Sequence, residues 1–386
     1  MSRLRILILT PAFRPNLGGV ETHLTDLTEH LAKNDYFSYV LTYQPITVSI
    51  KGLGVEKKKN LEVHRYSWFS GNYFNIFVNW HPIFNFFYLT PYLAVRLFLF
   101  LLTHHSKVDL IHAIGLSVAM PAVVFKRVFK KPVIMTTETL FNFNSKSLFA
   151  GVAKWVVENT DILLAQSEQS KKEFVDLGVN PKKIVVFSHW VDLNLFKPTD
   201  KSVAKKRLGW ENKFTVLYVG RLIPEKGVRL AIGAFEKVAN GCQMKIIGSE
   251  GPEEEFVKQK AVQNSNIDFL GSKSYRELAK YYQAADVLVY PALYKEDMAY
   301  VLLDALSCGT PVINTNPGSG VYALSEDVAF VVKPYEGEIA DKIELLMKNS
   351  KLAGSMSKQA RRFATRFGDR LAKIITDVYD KLVRSA

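Results

Sequence analysis

Three observations predict an α/β chain of two domains. Near-continuous aliphatic and β-branched runs alternate with helix-like segments, the series stops and restarts once, and 386 residues exceed the usual length of one domain. The first series is LRILILT (4–10), DLIHAIG (109–115), KPVIMTT (131–137), DILLAQS (161–167) and KIVVFS (183–188). Strands apolar on both sides belong to a parallel sheet covered by helices, because only there do both faces leave water. After a polar stretch at 191–201 holding Pro198 come FTVLYVG (214–220), MKIIGS (244–249), DVLVYP (286–291) and TPVINT (310–315). Two such βα series predict two doubly wound, Rossmann-like domains with a boundary near 192–205, and the cleft between them is the default site.

Composition narrows the class. With 48% hydrophobic and 23% charged residues the chain can bury a core. Only Cys242 and Cys308 occur, with no CxxC, which excludes a disulfide scaffold and a structural zinc site and suits a reducing compartment. The N-terminal MSRLRILILT has too short an apolar run for a signal peptide and reads as a first strand. The net charge of +13 is uneven: Lys and Arg against Asp and Glu number 22 and 14 in residues 1–197, 19 and 20 in 198–350, and 9 and 3 in 351–386. A tail packed on the first half would join two basic surfaces and select an anionic partner. Nucleic acid is a poor fit, since no nucleic-acid-reading module is present.

Residues 69–103 are unusually aromatic. The stretch 83–102 holds seven aromatics and is long enough to cross a membrane, but Arg96, Asn85 and Pro91 interrupt it and a sheet strand resumes soon after. It reads as a helix packed on the sheet or as a monotopic membrane-facing surface, the second favoured by Trp68, Phe69, Tyr73, Phe74, Phe77, Trp80, Phe84, Phe87 and Tyr88.

Several chemistries are excluded by motif: there is no GxxxxGK[ST], HExxH, GxSxG or Asp-x-Asp pair. Gly318 to Ala323 matches GxGxxA after a strand, but too little chain follows for a dinucleotide domain, so it reads as a phosphate-type turn. Gly18 and Gly19 follow the first strand and open an apolar-periodic stretch (Val20, Leu24, Leu27, Leu31), which places them at a helix N-terminus suited to an anion. VGRLIPEKG sets Gly220, Arg221 and Lys226 in the loop after the first strand of the second half, where two cations can clamp a diphosphate. In YKEDMAYVLLDA, Glu296 and Asp304 would lie about 12 Å apart along a helix beginning just after Glu296.

In this order the motifs resemble a family-4 glycosyltransferase of the GT-B fold. GGVETHL, VGRLIPEKG and YKEDMAYVLLDALSCGTPVI resemble that family's glycine loop, diphosphate-binding Arg/Lys loop and E-x7-E region, with IHAIG, VDLNLFKP and FLGSKSYRELAKYYQAADVLVYP between. The resemblance implies two Rossmann-like doubly wound domains facing across a cleft, and a C-terminal helix crossing back to the N-terminal domain. The expected parts are 1–195 (acceptor-binding, with an aromatic and basic membrane-facing surface), 196–365 (donor-binding) and 366–386 (the returning helix). It also implies retaining transfer of a hexosyl or N-acetylhexosaminyl group from a nucleotide-diphosphate sugar, with no metal or other cofactor. Gly18 and Gly19 would approach the donor phosphates and Arg221 and Lys226 neutralise the diphosphate. Glu296 would hold the sugar hydroxyls and Asp304 the ribose. Gly220, Asp297, Met298, Ala299 and Tyr300 would line the donor site.

The chain departs from the family's pattern where His-x-His and a further His are usual, having Ile114 and Glu138 instead. His112 and Glu138 are therefore the expected groups for orienting or deprotonating the acceptor, and the acid at 304 is Asp in place of Glu. With the aromatic segment and the charge, the expected acceptor is a lipid-linked or glycolipid sugar at an anionic membrane, with the protein cytoplasmic and peripheral on its cytoplasmic face. A donor-binding scaffold without turnover and a nucleotide-sugar epimerase of the same fold are the alternatives.

Overall fold

The computed structural model describes residues 4–46, 50–68, 82–238, 241–248, 251–294, 299–315 and 324–384, with the side chains of Pro82, Ile83 and Asn85 excepted. The chain forms two compact units, residues 1–189 with 370–386, and residues 190–369. The division falls at His189 because Val191 and Phe196, both fully buried, belong to the second unit's core.

The first unit runs β1 (Arg5–Leu9), α1 (Gly19–Lys33), β2 (Phe37–Tyr43), β3 (Val55–Lys58), β4 (Leu61–Tyr66), α2 (Pro82–His104), β5 (Leu110–Ile114), α3 (Leu116–Phe129), β6 (Val133–Thr136), α4 (Leu148–Asn159), β7 (Ile162–Ala165), α5 (Glu168–Asp176) and β8 (Ile184–Val186). Its sheet has the order β3-β4-β2-β1-β5-β6-β7-β8, with only the β3–β4 pairing antiparallel. Leu7 and Leu9 of β1 join the core formed with α2, α3 and α4, while Ile6 and Ile8, equally buried, point to the opposite face as strand alternation requires.

The second unit runs α6 (Lys201–Arg207), β9 (Phe214–Val219), α7 (Val228–Glu236), β10 (Cys242–Ile247), α8 (Glu254–Gln263), β11 (Ile267–Phe269), α9 (Tyr275–Ala284), β12 (Val287–Tyr290), α10 (Tyr300–Ser307), β13 (Val312–Asn314), β14 (Ala329–Val331), α11 (Glu336–Lys348) and α12 (Ser350–Ala364). Its sheet is wholly parallel in the order β11-β10-β9-β12-β13-β14. Leu217 and Val219 pack with α9, α10 and α12, whereas Val216 and Tyr218 pack with α7 and α11, so helices cover both faces. Cys242 and Cys308 are both buried.

The last helix, α13 (Ala372–Arg384), packs on the first unit. Its Tyr379 hydroxyl lies 2.6 Å from His112 Nδ1, and Tyr36 donates to Asp380 at 2.9 Å. His112 is in register with Ile8, so α13 covers the sheet face opposite α2.

All nine apolar runs are strands, and β2, β3, β4, β11 and β14 are strands that the reading did not include. For most of them the reason is local: β3 and β4 alternate polar and apolar residues at a half-solvated sheet edge (VEKK, LEVHRY), Ser38 and Thr42 interrupt the apolar run of β2, and Asp268 interrupts β11. The aromatic segment contributes α2, whose Leu93, Leu97 and Leu101 are fully buried against the sheet and α3. Arg96, its charged residue, turns inward: its guanidinium lies over the Tyr66 and Tyr92 rings at 4.7 and 5.0 Å and donates to the Tyr92 hydroxyl. Tyr43, Trp68 and Tyr88 form a continuous stack beside it. Phe69, Tyr73, Phe74, Phe77, Trp80 and the turn Gly318 to Ala323 lie outside the described residues.

Candidate active site

In an open parallel sheet, ligands bind at the carboxyl edge where the strand order reverses, because neighbouring loops there diverge to opposite faces. In the second unit that point lies between β9 and β12. The loop after β9 carries Gly220, Arg221 and Lys226, and the loop after β12 leads through Tyr294 towards α10. The two loops are tied together. Leu293 N donates to the Glu225 carbonyl at 2.8 Å, and Lys226 Nζ donates to the Tyr290 hydroxyl at 2.7 Å. The same ammonium lies 5.2 and 5.3 Å from the Tyr290 and Tyr294 ring centroids, so two aromatic faces stabilise its charge. Arg221 is exposed and carries no ion pair among the described residues. One cation is thus fixed by its neighbours, and the other can move to an incoming anion.

Gly227 makes this arrangement possible. Its φ of 69° lies in the left-handed region, and a Cβ there would stand 2.0 Å from the Pro291 carbonyl oxygen. The loop after β10 closes the other side: Gly220 N donates to Ile247 O, and Glu253 N to Leu222 O.

Ala299 is buried and extended at the start of α10, followed by the half-buried Tyr300. Because α10 begins at Tyr300, the helical rise assumed between Glu296 and Asp304 does not apply, which corrects their expected spacing. Asp304 is 2% exposed and accepts from the Tyr275 hydroxyl at 3.1 Å. Glu296, Asp297 and Met298 lie outside the described residues.

In the first unit the order reverses between β1 and β5. Gly18 and Gly19 are exposed at the N-terminus of α1, where amides lack intrahelical partners. That end already carries a carboxylate, since Glu21 folds back towards Gly18 and accepts from the Asn16 amide. Glu138 follows β6 at the same edge, half-buried, its Oε2 accepting from Gln166 Nε2 at 2.8 Å.

His112 is placed differently from the expectation of an acceptor-facing base. It is fully buried, with Nδ1 2.6 Å from the Tyr379 hydroxyl and Nε2 2.5 Å from Thr136 Oγ1. Burial, and secondarily His23, hold its pKa down at about 3, so the ring is neutral and both nitrogens are engaged. It anchors α13 to the sheet. Burial likewise lowers His23 to about 3, and its Nδ1 lies 3.1 Å from that of His189. Sequence reasoning missed the partners Tyr290, Tyr294, Gln166 and Tyr379. Tyr290 and Tyr294 flank a strand end within a noted motif; Tyr379 lies 267 residues from His112 and leaves no local signal.

Comparison with known proteins agrees with this architecture. The family Glycosyl transferases group 1 matches residues 200–363, and Glycosyltransferase Family 4 matches residues 17–195. A D-inositol 3-phosphate glycosyltransferase of Kribbella flavida is 29% identical over 231 residues, which are 55% of this chain and 54% of the relative. The chain thus spans about half the length of the curated relatives it matches. The solved sucrose-phosphate synthase of Thermosynechococcus elongatus shares the fold with a TM-score of 0.81 at 21% identity over 100% of both chains. Anabaena HepE, in complex with UDP-glucose, gives 0.76 at 18% identity over 98% of this chain and 100% of its own. With adjacent family matches running from residue 17 to residue 363 and a shared pair of Rossmann-like domains, the chain belongs to the family-4, group 1 glycosyltransferases of the GT-B fold.

Proposed function

We propose that the protein is a retaining glycosyltransferase that moves a hexosyl or N-acetylhexosaminyl group from a nucleotide-diphosphate sugar to a lipid-linked or glycolipid acceptor. The observation that carries this reading is the pair Arg221 and Lys226 at the strand-order reversal of the second unit, one exposed and one fixed by Tyr290. As the anomeric carbon–oxygen bond breaks, its electron pair passes to the diphosphate. Two cations meet that developing charge and supply the +2 that a divalent metal would otherwise bring. Stabilisation of the leaving group is the largest catalytic effect expected here. Glu296 and Asp304 take the sugar hydroxyls and the ribose, and the exposed Gly18–Gly19 end of α1, beside Glu21, offers amide donors to an anion.

On the acceptor side, Glu138 orients the attacking hydroxyl and receives its proton, with Gln166 fixing the carboxylate. His112 positions the end of β5 through Thr136 and Tyr379. The UDP-glucose bound by HepE makes UDP-sugars the first donors to try. The aromatic α2 and the basic first unit support a lipid-borne acceptor and a position at the cytoplasmic face of an anionic membrane.

The test is transfer of radiolabelled sugar from UDP-, GDP- and ADP-sugars to lipid-extract acceptors in chelator, with the product anomer read from its proton coupling. Product with the donor's anomeric configuration is expected. An inverted product overturns retention. Donor binding without transfer to any acceptor overturns turnover and leaves a scaffold, and conversion of the donor sugar without an acceptor identifies an epimerase.

A further inference from the structure

Among the described residues, the solvent side of α2 is apolar from Phe84 to Leu102. Phe84, Phe87, Val95, Phe98, Leu99 and Leu102 are between 37% and 59% exposed and fall at helical spacing on one stripe about 27 Å long at 1.5 Å per residue. A helix that only covers a sheet turns polar residues outward. Here the inward side is also apolar apart from Thr90 and Arg96, so both sides of α2 suit non-aqueous surroundings. The stripe continues onto α3, where Val124 and Val128 are exposed one turn apart and the Phe98 ring lies 5.4 Å from that of Phe125.

Charge selects the occupant. The 23 residues of α2 and the 14 of α3 contain no Asp or Glu. The carboxyl ends of the two helices, which lead into β5 and β6, are rimmed by Lys107, Arg127, Lys130 and Lys131, all exposed or half-buried. A second copy of this face would be repelled by it, whereas a bilayer with anionic headgroups matches both the apolar stripe and the cationic rim.

We infer that the α2–α3 face docks on an anionic lipid bilayer, with α2 lying in the plane of the interface. The other end of the stripe adjoins α4, with the Phe86 and Phe149 rings 6.2 Å apart, and α4 begins ten residues after Glu138. With α2 in the plane of the interface, the α4 end of the stripe, on the side of the sheet that carries Glu138, meets the bilayer as the cationic rim does at the other end. The inference deepens the proposed function by naming the surface on which it operates.

The test is co-sedimentation of the full chain with phosphatidylcholine vesicles containing or lacking 30% phosphatidylglycerol. The wild-type chain is expected to partition at least tenfold better onto the anionic vesicles. Phe87→Glu with Leu99→Glu should lose at least tenfold of that binding at unchanged melting temperature, and Lys130→Glu with Lys131→Glu should lose the preference for anionic lipid. Should the glutamate pair unfold the chain, Phe87→Gln with Leu99→Gln replaces it. Wild-type protein that ignores both vesicles, or a substituted pair that binds as wild type does, overturns the inference. So does a dimer in solution that dissociates in the pair, because the occupant is then a second copy. Vesicle binding without sugar transfer overturns the activity alone, and transfer to a detergent-dispersed lipid acceptor without vesicle binding overturns the surface alone.

Discussion

Replacing Gly227 by alanine should damage the loops after β9 and β12 far more than its size suggests. The left-handed backbone, at φ 69° and ψ 28°, costs an L-residue about 1 kcal/mol. The added methyl would stand 2.0 Å from the Pro291 carbonyl oxygen, so that carbonyl must retreat by about 1 Å or more. Pro291 follows the buried end of β12, and moving it breaks two links between the loops. These are the Leu293 N to Glu225 O bond at 2.8 Å and the Lys226 Nζ to Tyr290 hydroxyl bond at 2.7 Å. At about 1 kcal/mol for each bond, the loss totals about 3 kcal/mol. That corresponds to roughly 6–12 °C in the melting temperature of a unit this size. If Lys226 is the cation proposed to meet the diphosphate, displacing it by about 1 Å also costs about 10²-fold in turnover. Gly209 supplies the control, because it has the same φ of 69° with nothing within 4 Å of a Cβ, so Gly209→Ala should lose only the backbone cost. Thermal melts and initial rates of the two variants check this. A Gly227→Ala protein indistinguishable from Gly209→Ala in both would refute the reasoning.

Arg221→Ala and Lys226→Ala should each lose about 10²-fold in turnover, and a loss under threefold in steady-state assays of either would remove the diphosphate role. Acid should unfold the first unit. The folded pKa values of His23 and His112 are lowered to about 3, below the unfolded value of 6.5, so only the unfolded chain takes up protons between these limits. Stability is full above pH 6.5 and falls as pH drops towards 3, by about 2 kcal/mol per histidine at pH 5. A urea midpoint that is flat from pH 7 to pH 5 would contradict this. Tyr379→Phe, which leaves His112 Nδ1 buried without its hydroxyl, should cost about 1–3 kcal/mol by chemical denaturation. Recovery of that loss in a His112→Leu background would show that the bond itself carries it, and a loss that persists there would not.

The sequence by itself determined the parts whose signal is local. A strand buried on both faces is apolar at most positions, so β1, β5 and β9 were legible; β3 and β4, half-solvated at an edge, and β2, with Ser38 and Thr42 in its run, were not. Gly227 and the cations beside it were legible as a loop because glycine, proline and charge mark a turn over a few residues. What only the tertiary structure decided depends on residues brought together from distant positions. Lys226 is fixed by Tyr290, 64 residues later, across adjacent strands. His112 is occupied by Tyr379 on a helix 267 residues away, which turns an expected acceptor base into a buried anchor. Composition showed that α2 is aromatic, but the sheet and α3 chose which of its apolar sides faces water. Local pattern fixes the conformation a segment can adopt, while the packing of distant segments fixes which of its groups remain available for chemistry.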